Sequence, residues 1–250
     1  MVAVNACFTP PNYPIAPQIE ILNNDLAFIK NTNSIGLDTL RIVLKFTDGD
    51  GDVGVIRTQD LPLDERAVFY YLLNSNGQIS LTTIDRSNIN YRFKRLNPNF
   101  RMPNSGAELP EFITPFNCTS WELEEDKNNV VIDTVYIERN PNHFNIFIDY
   151  LIKNNDGTFT EFNFDDFFIF PFCGDAVFNG ARIPNLSKEI GKNSPLDGKI
   201  TFNITATIGA LDLLFSIKTL KLKISIVDRA LNKSNEVESK EFTLQSIRKR

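Results

Sequence analysis

Thr39-Leu40-Arg41-Ile42-Val43-Leu44-Lys45-Phe46-Thr47-Asp48 alternates aliphatic side chains with basic or hydroxylated ones and stops on an aspartate. A period of two is that of a half-buried strand, and Val, Ile, Thr and Phe fit a pleated surface. The pattern is written again near the other end of the chain, in Thr219-Leu220-Lys221-Leu222-Lys223-Ile224-Ser225-Ile226-Val227-Asp228. Each copy begins with Thr-Leu and closes on an aspartate followed by a polar turn, where the carboxylate can cap turn amides.

Strand, aspartate, polar turn and strand is also how a hairpin of an immunoglobulin-like sandwich is built. The repeat therefore predicts an all-β chain of two related immunoglobulin-like β-sandwich lobes, residues 18–125 and 126–250, behind an extended N-terminal tether of residues 1–17. The alternative is coincidence, because amphipathic strands resemble one another.

Working outward, strand-like runs recur at Ile19–Leu22, Ala67–Leu73, Tyr91–Arg95, Val130–Arg139, Phe144–Lys153, Thr158–Phe164, Lys199–Thr207 and Glu236–Leu244. Asn140-Pro141-Asn142 and Asn154-Asn155-Asp156-Gly157 are turn signals between alternating runs, so residues 130–164 read as a three-stranded meander. Ala210–Ser216 fits a short helix or a strand, Glu122–Asp126 reads as an exposed loop beside Trp121, and Arg248-Lys249-Arg250 as a frayed tail.

Composition agrees. In 250 residues there are 21 Phe against 6 Tyr and 1 Trp, with 42% hydrophobic and 23% charged residues, the profile of a globular chain rather than a disordered or collagenous one. The net charge of −5 lacks the Lys/Arg excess that neutralises phosphates, which excludes nucleic acid as a main partner. The longest apolar run, Ile208 to Ile217, carries Asp212 and falls short of the ~20 residues of a membrane helix.

Val4-Asn5-Ala6-Cys7 places a small residue before cysteine, as a lipoprotein precursor does, but six residues cannot supply a positive and an apolar region. Two readings stand for Cys7, a lipidation site whose signal is incomplete here and an ordinary thiol. The Pro-dense run Phe8 to Pro17 cannot be helical and reads as an extended tether. If Cys7 carries lipid, Cys118 and Cys173 are the remaining pair. A bridge between them would close a loop of about 55 residues, worth roughly 4 kcal/mol; two buried free thiols are the other reading.

Several stretches together resemble a family of Bacteroidota outer-membrane lipoproteins. They are Cys7 with Tyr13-Pro14-Ile15-Ala16-Pro17, Asp38-Thr39-Leu40, Phe46-Thr47-Asp48-Gly49-Asp50-Gly51-Asp52-Val53-Gly54, Gly180-Ala181-Arg182-Ile183-Pro184, Pro195-Leu196-Asp197-Gly198-Lys199-Ile200, and Ile226-Val227-Asp228-Arg229-Ala230-Leu231-Asn232-Lys233-Ser234-Asn235. The resemblance spans nearly the whole chain. It implies a lipid-anchored, all-β protein facing the periplasm or the cell surface, and implies no enzymatic activity.

The densest chemical feature is Asp48-Gly49-Asp50-Gly51-Asp52. Three carboxylates at alternate positions, on a backbone that glycine lets curve tightly, can converge on a hard cation such as Ca2+. The spacing is not that of an EF-hand, since position twelve is Gln59; Asp60, Asp64 or Glu65 would close the shell, and Asp64 is the expected ligand. The opposing reading is a solvated turn whose acids cap amides.

Catalytic signals are thin. His143, the single histidine, lies in a turn with no nucleophile at a characteristic spacing, and one His with two distant Cys makes no zinc shell. The pairs Glu124-Glu125 and Asp165-Asp166 have no fixed separation for acid and base roles. The aromatic run Phe162 to Phe172 fits a sandwich core, or an exposed platform for sugars or protein.

The leading expectation is a non-catalytic, lipid-anchored accessory subunit of an outer-membrane complex, its partner a β-barrel protein or other lipoproteins. Such a subunit needs an exposed apolar patch. The alternative is a calcium-assisted glycan-binding surface lipoprotein. An enzyme would instead need a deep pocket with perturbed carboxylates.

Overall fold

The structure is a computed structural model that describes residues 11–31, 36–54, 68–73, 79–82, 121–128, 130–139, 144–164, 179–184, 186 and 194–249. The chain forms two compact units, and they interleave. Unit 1 is built from Met1–Ile56, Asn145–Phe162 and Phe178–Arg250, and unit 2 from Arg57–Phe144 and Asn163–Val177. The expected division into 18–125 and 126–250 is sequential and differs from this one, because the strands of unit 1 find partners far away in the chain.

The first sheet of unit 1 is organised on one long strand. Strand β1 (Gln18–Ile21) and β2 (Ala27–Ile29) pair antiparallel with successive parts of β3 (Leu37–Asp48). Unit 2 holds an antiparallel sheet of β4 (Val68–Leu73), β5 (Ile79–Thr82), β6 (Trp121–Glu125) and β7 (Val131–Arg139), in the order β5-β4-β7-β6. The chain then returns to unit 1 with β8 (Ile146–Lys153), β9 (Phe159–Glu161) and β10 (Gly180–Ala181). Next come β11 (Leu196–Thr207), the short helix α1 (Ala210–Phe215), β12 (Leu220–Ile226), β13 (Val237–Glu238) and β14 (Arg248–Lys249).

Strand β11 pairs with β3 along its whole length, from Leu196 opposite Asp48 to Thr207 opposite Leu37. The second sheet of unit 1 runs β10-β8-β12-β13, with β9 on β8. The period of two decides which side is buried. On β3 the even positions Leu40, Ile42, Leu44 and Phe46 are buried, on β8 Ile146, Ile148 and Tyr150, and on β12 Leu220, Leu222, Ile224 and Ile226. Two sheets, each with one apolar face turned inward, make a mostly-β fold of sandwich type in the general sense.

Helix α1 buries Leu211, Leu214 and Phe215. The Phe215 ring stacks on Tyr150 of β8 at 5.4 Å and meets Phe162 edge-on at 5.1 Å. Asp38, fully buried at the start of β3, accepts from Asn31 N at 2.9 Å and from Gly209 N at 2.9 Å, so both its oxygens are satisfied by loop amides. The contrast with the other end of the strand matters below.

Four expectations are corrected. The meander over 130–164 is broken at its first turn: β7 pairs with β4 and β6 in unit 2, while β8 pairs with β9, β10 and β12 in unit 1. The hairpin from β8 to β9 around Asn154-Asn155-Asp156-Gly157 is present, closed by Asn154 N to Thr158 O at 2.8 Å. Glu122–Asp126, expected to be an exposed loop beside Trp121, lies as far as Glu125 in β6, because Trp121 and Leu123 alternate with acids at strand period. Arg248 and Lys249 are not frayed but pair in parallel with Phe28 and Ile29 of β2. Finally, the two repeated segments do not found separate lobes; they are β3 and β12, one in each sheet of unit 1.

Candidate metal centre

Placing the repeated strands in the two sheets of one unit brings their terminal aspartates together. Carboxylate oxygens of Asp48, Asp50, Asp52 and Asp228 all lie within 4.8 Å of one another. Asp48 is fully buried and Asp228 is 3% exposed, while Asp50 and Asp52 are half-buried.

Each strand-ending aspartate shapes the turn that follows it. Asp48 Oδ2 accepts from Asp52 N at 2.8 Å and Val53 N at 3.2 Å, which curls residues 48–53 back over the strand end. Asp228 does the same in its hairpin, Oδ1 accepting from Asn232 N at 2.7 Å and Oδ2 from Asn232 Nδ2 at 2.9 Å. The two turns are then laced to each other: Ala230 N donates to Asp52 Oδ2 at 3.1 Å and Arg229 N to the Asp52 carbonyl at 3.4 Å.

Glycine is required where the loop is tightest. Gly51 has φ +75°, and a Cβ there would fall 2.0 Å from the Ser194 carbonyl oxygen. Leu231, in the Asp228 hairpin, takes φ +66° without being glycine, at a strain of about 1–2 kcal/mol. The residue is 51% exposed, so little packing is lost on replacement. Leu231→Asn, whose side chain tolerates the left-handed region, is expected to raise stability to urea by up to about 1 kcal/mol.

Among the described residues, three carboxylate oxygens, Asp48 Oδ1, Asp50 Oδ1 and Asp52 Oδ1, are buried and accept no hydrogen bond. A buried acceptor left unsatisfied costs about 1–3 kcal/mol, and more when charged. Like charges add to this: two of them 4 Å apart repel by about 4 kcal/mol at an effective dielectric of about 20. Burial raises the Asp48 pKa, the charges of Asp50 and Asp228 adding to the effect and the amides of Val53 and Asp52 opposing it. Asp52 is pushed up to about 6 by burial and then by Asp228, Asp50 and Asp48, against Arg229.

Strand β3 thus carries a buried aspartate at each end. Asp38 has both oxygens satisfied by amides; Asp48 has one, and its other oxygen belongs to the cluster. An amide-capping role accounts for Asp38 completely and for Asp48 only in half. The remaining oxygens are what a divalent cation requires. Four carboxylates with no nitrogen or sulfur donor among them form a hard set, suited to calcium or magnesium rather than zinc or copper.

Of the expected ligands, Asp48, Asp50 and Asp52 are brought together, and Asp64 lies outside the described residues. Asp228 is the member of the cluster that the sequence reading missed. Its signal was present in the repeat, where it occupies the position of Asp48. Cys7, Cys118, Cys173, His143, Asp60, Glu65, Asp165 and Asp166 also lie outside the described residues, and Glu124 and Glu125 are placed only as positions on β6. Among the described residues no helix is long and apolar enough to cross a membrane. Compared with protein-family models, with curated proteins and with solved structures, the chain has no significant match in any of the three.

Proposed function

We propose that the chain is a calcium-organised binding protein of the cell envelope, non-catalytic, whose ligand is a glycan. The observation that carries the reading is the convergence of four aspartates on one point, three of them, Asp48, Asp50 and Asp52, with a buried oxygen left unsatisfied. Calcium rather than magnesium fits an irregular all-oxygen set assembled from two loops, since magnesium demands near-ideal octahedral geometry and dehydrates reluctantly. The outward face of β3 and β11 supports the ligand class. It aligns Thr39 with Thr205 and Arg41 with Asn203, side chains able to bond to sugar hydroxyls. The resemblance supports a lipid anchor at Cys7, an outer-membrane location and an immunoglobulin-like identity for the sandwich.

A second reading, docking on an outer-membrane β-barrel protein or on other lipoproteins, is favoured by one observation. Around α1, Leu213 is 74% exposed, Ile217 94% and Ile208 39%, and Leu37 on the strand paired with β11 is 50% exposed. The deciding experiment is calcium titration by calorimetry, followed by a glycan array with calcium and with chelator. Calcium binding together with chelator-sensitive glycan retention is the expected result. Absence of calcium binding overturns the proposal. Calcium binding without any glycan, together with stoichiometric co-purification of a barrel protein from membranes, transfers the function to the second reading.

A further inference from the structure

The acidic loop is also the place where the N-terminal segment meets the body of unit 1. Gly49, between two members of the cluster, donates its N–H to the Pro14 carbonyl at 2.8 Å. Its Cα face lies directly on that segment: a Cβ there would fall 2.4 Å from the Tyr13 carbonyl oxygen and 2.7 Å from that of Pro14. Tyr13 adds a side-chain tie, its hydroxyl donating to Asp197 Oδ2 at 2.9 Å on β11. Asp197 in turn lies opposite Thr47, next to Asp48. The segment is thus held by a backbone bond to the loop, by close packing against a glycine in the loop, and by one anchor on the neighbouring strand.

We infer that residues 11–16 form a calcium-dependent strap, docked on unit 1 when the four-aspartate centre is loaded and released when it is empty. The inference rests on the reading of that centre as a calcium site. The physical link is the backbone of residues 48–52, which carries Asp48, Asp50 and Asp52 and, between them, the Gly49 amide and surface that hold the strap. Without a cation the carboxylates repel one another and the loop opens. The Gly49 N–H then loses its alignment with Pro14, leaving the Tyr13 hydroxyl bond, which is exposed and weak alone. Linkage makes the coupling reciprocal: whatever undocks the strap weakens calcium binding by the same factor.

The test labels the full chain with 3-fluorotyrosine and follows Tyr13 by fluorine NMR, its line among those of the 6 tyrosines being assigned by its loss in Tyr13→Phe. Calcium affinity is measured by calorimetry on the same samples. The expected result is a Tyr13 line that is broad and shifted in calcium and that moves to the free-peptide position and narrows in chelator. Gly49→Ala leaves all four carboxylates in place but puts a methyl group into the strap. It should release Tyr13 even in calcium and weaken calcium binding about tenfold, within the range typical of such couplings. If calcium binds and the wild-type Tyr13 line does not change on chelation, the strap is overturned and the calcium site stands. If calcium does not bind at all, the site reading fails and the strap with it. Should Gly49→Ala fail to fold, the wild-type titration alone decides.

Discussion

Asp50→Asn is expected to change the sign of its effect with calcium. In excess chelator the variant should be more stable than wild type by about 1–3 kcal/mol, because it removes one of four mutually repelling charges and Asp50 Oδ1 accepts no hydrogen bond that would be lost. In saturating calcium it should be less stable than wild type. A ligand that binds only the folded state adds about 2.7 kcal/mol at a hundred times its dissociation constant and about 4.1 kcal/mol at a thousand times, and a variant lacking one ligand forgoes most of that. For a chain of this size each kcal/mol moves the melting midpoint by about 2–4 °C, so scanning calorimetry in the two buffers resolves both signs. A variant that is destabilising in both buffers would show that Asp50 acts through local structure and not through a shared charge.

The same centre sets a pH dependence. Asp52, raised to about 6 in the folded protein, and Asp48, also raised, hold protons that the unfolded chain has already released above its ordinary carboxylate range near pH 4. The folded state therefore binds more protons than the unfolded state in that window, and the stability of the calcium-free protein falls as pH rises from about 4 through about 6. Calcium needs the deprotonated carboxylates, so its stabilising increment grows over the same window. Melting curves in chelator and in calcium should diverge as pH rises from about 4 through about 6.

The second large effect is expected at Gly51. Gly51→Ala combines a left-handed backbone, worth about 1–2 kcal/mol against alanine, with a Cβ placed 2.0 Å from the Ser194 carbonyl oxygen. Forcing such a contact apart costs about a further 1–3 kcal/mol, and because the Ser194 carbonyl is a backbone group, no rotamer relieves it. Gly157, in the hairpin between β8 and β9, has φ +87° and nothing within 4 Å of its Cβ position. Gly157→Ala isolates the backbone contribution. Urea denaturation should give a loss of about 3 kcal/mol for Gly51→Ala and about 1 kcal/mol for Gly157→Ala. Equal losses would mean that the loop yields freely to the side chain and is not held against Ser194.

Strands were legible because the period of two and the turn chemistry are local. β3, β12 and the hairpin around Asp156-Gly157 can be read from ten residues at a time. Partners were not legible, because nothing in Val131–Arg139 says whether it pairs with the strand after it or with Val68–Leu73. The site was legible on one side only. The glycine-spaced acids Asp48, Asp50 and Asp52 announce themselves within five residues, whereas Asp228 joins them only because β3 and β12, distant in sequence, lie in the two sheets of one unit. The repeat holds that information, but as a local pattern it points to two lobes, whereas in the fold both strand ends reach the same point. Asp38 is instructive in the opposite direction: a buried aspartate of the same type on the same strand, fully satisfied by amides, needs no ion.

The interleaving of the units has a consequence for the order of folding. β3 emerges early in the chain, but its longest partner, β11, is some 150 residues downstream, Leu196 opposite Asp48 and Thr207 opposite Leu37. All of unit 2 is made in between. Pairings so far apart in sequence close late and slowly, so unit 2 has time to form while β3 still waits with an unpaired edge. The Asp228 hairpin comes later still, after β12. Calcium added to a refolding chain should therefore leave the early phases alone and act on the last one, when the two ends of unit 1 meet.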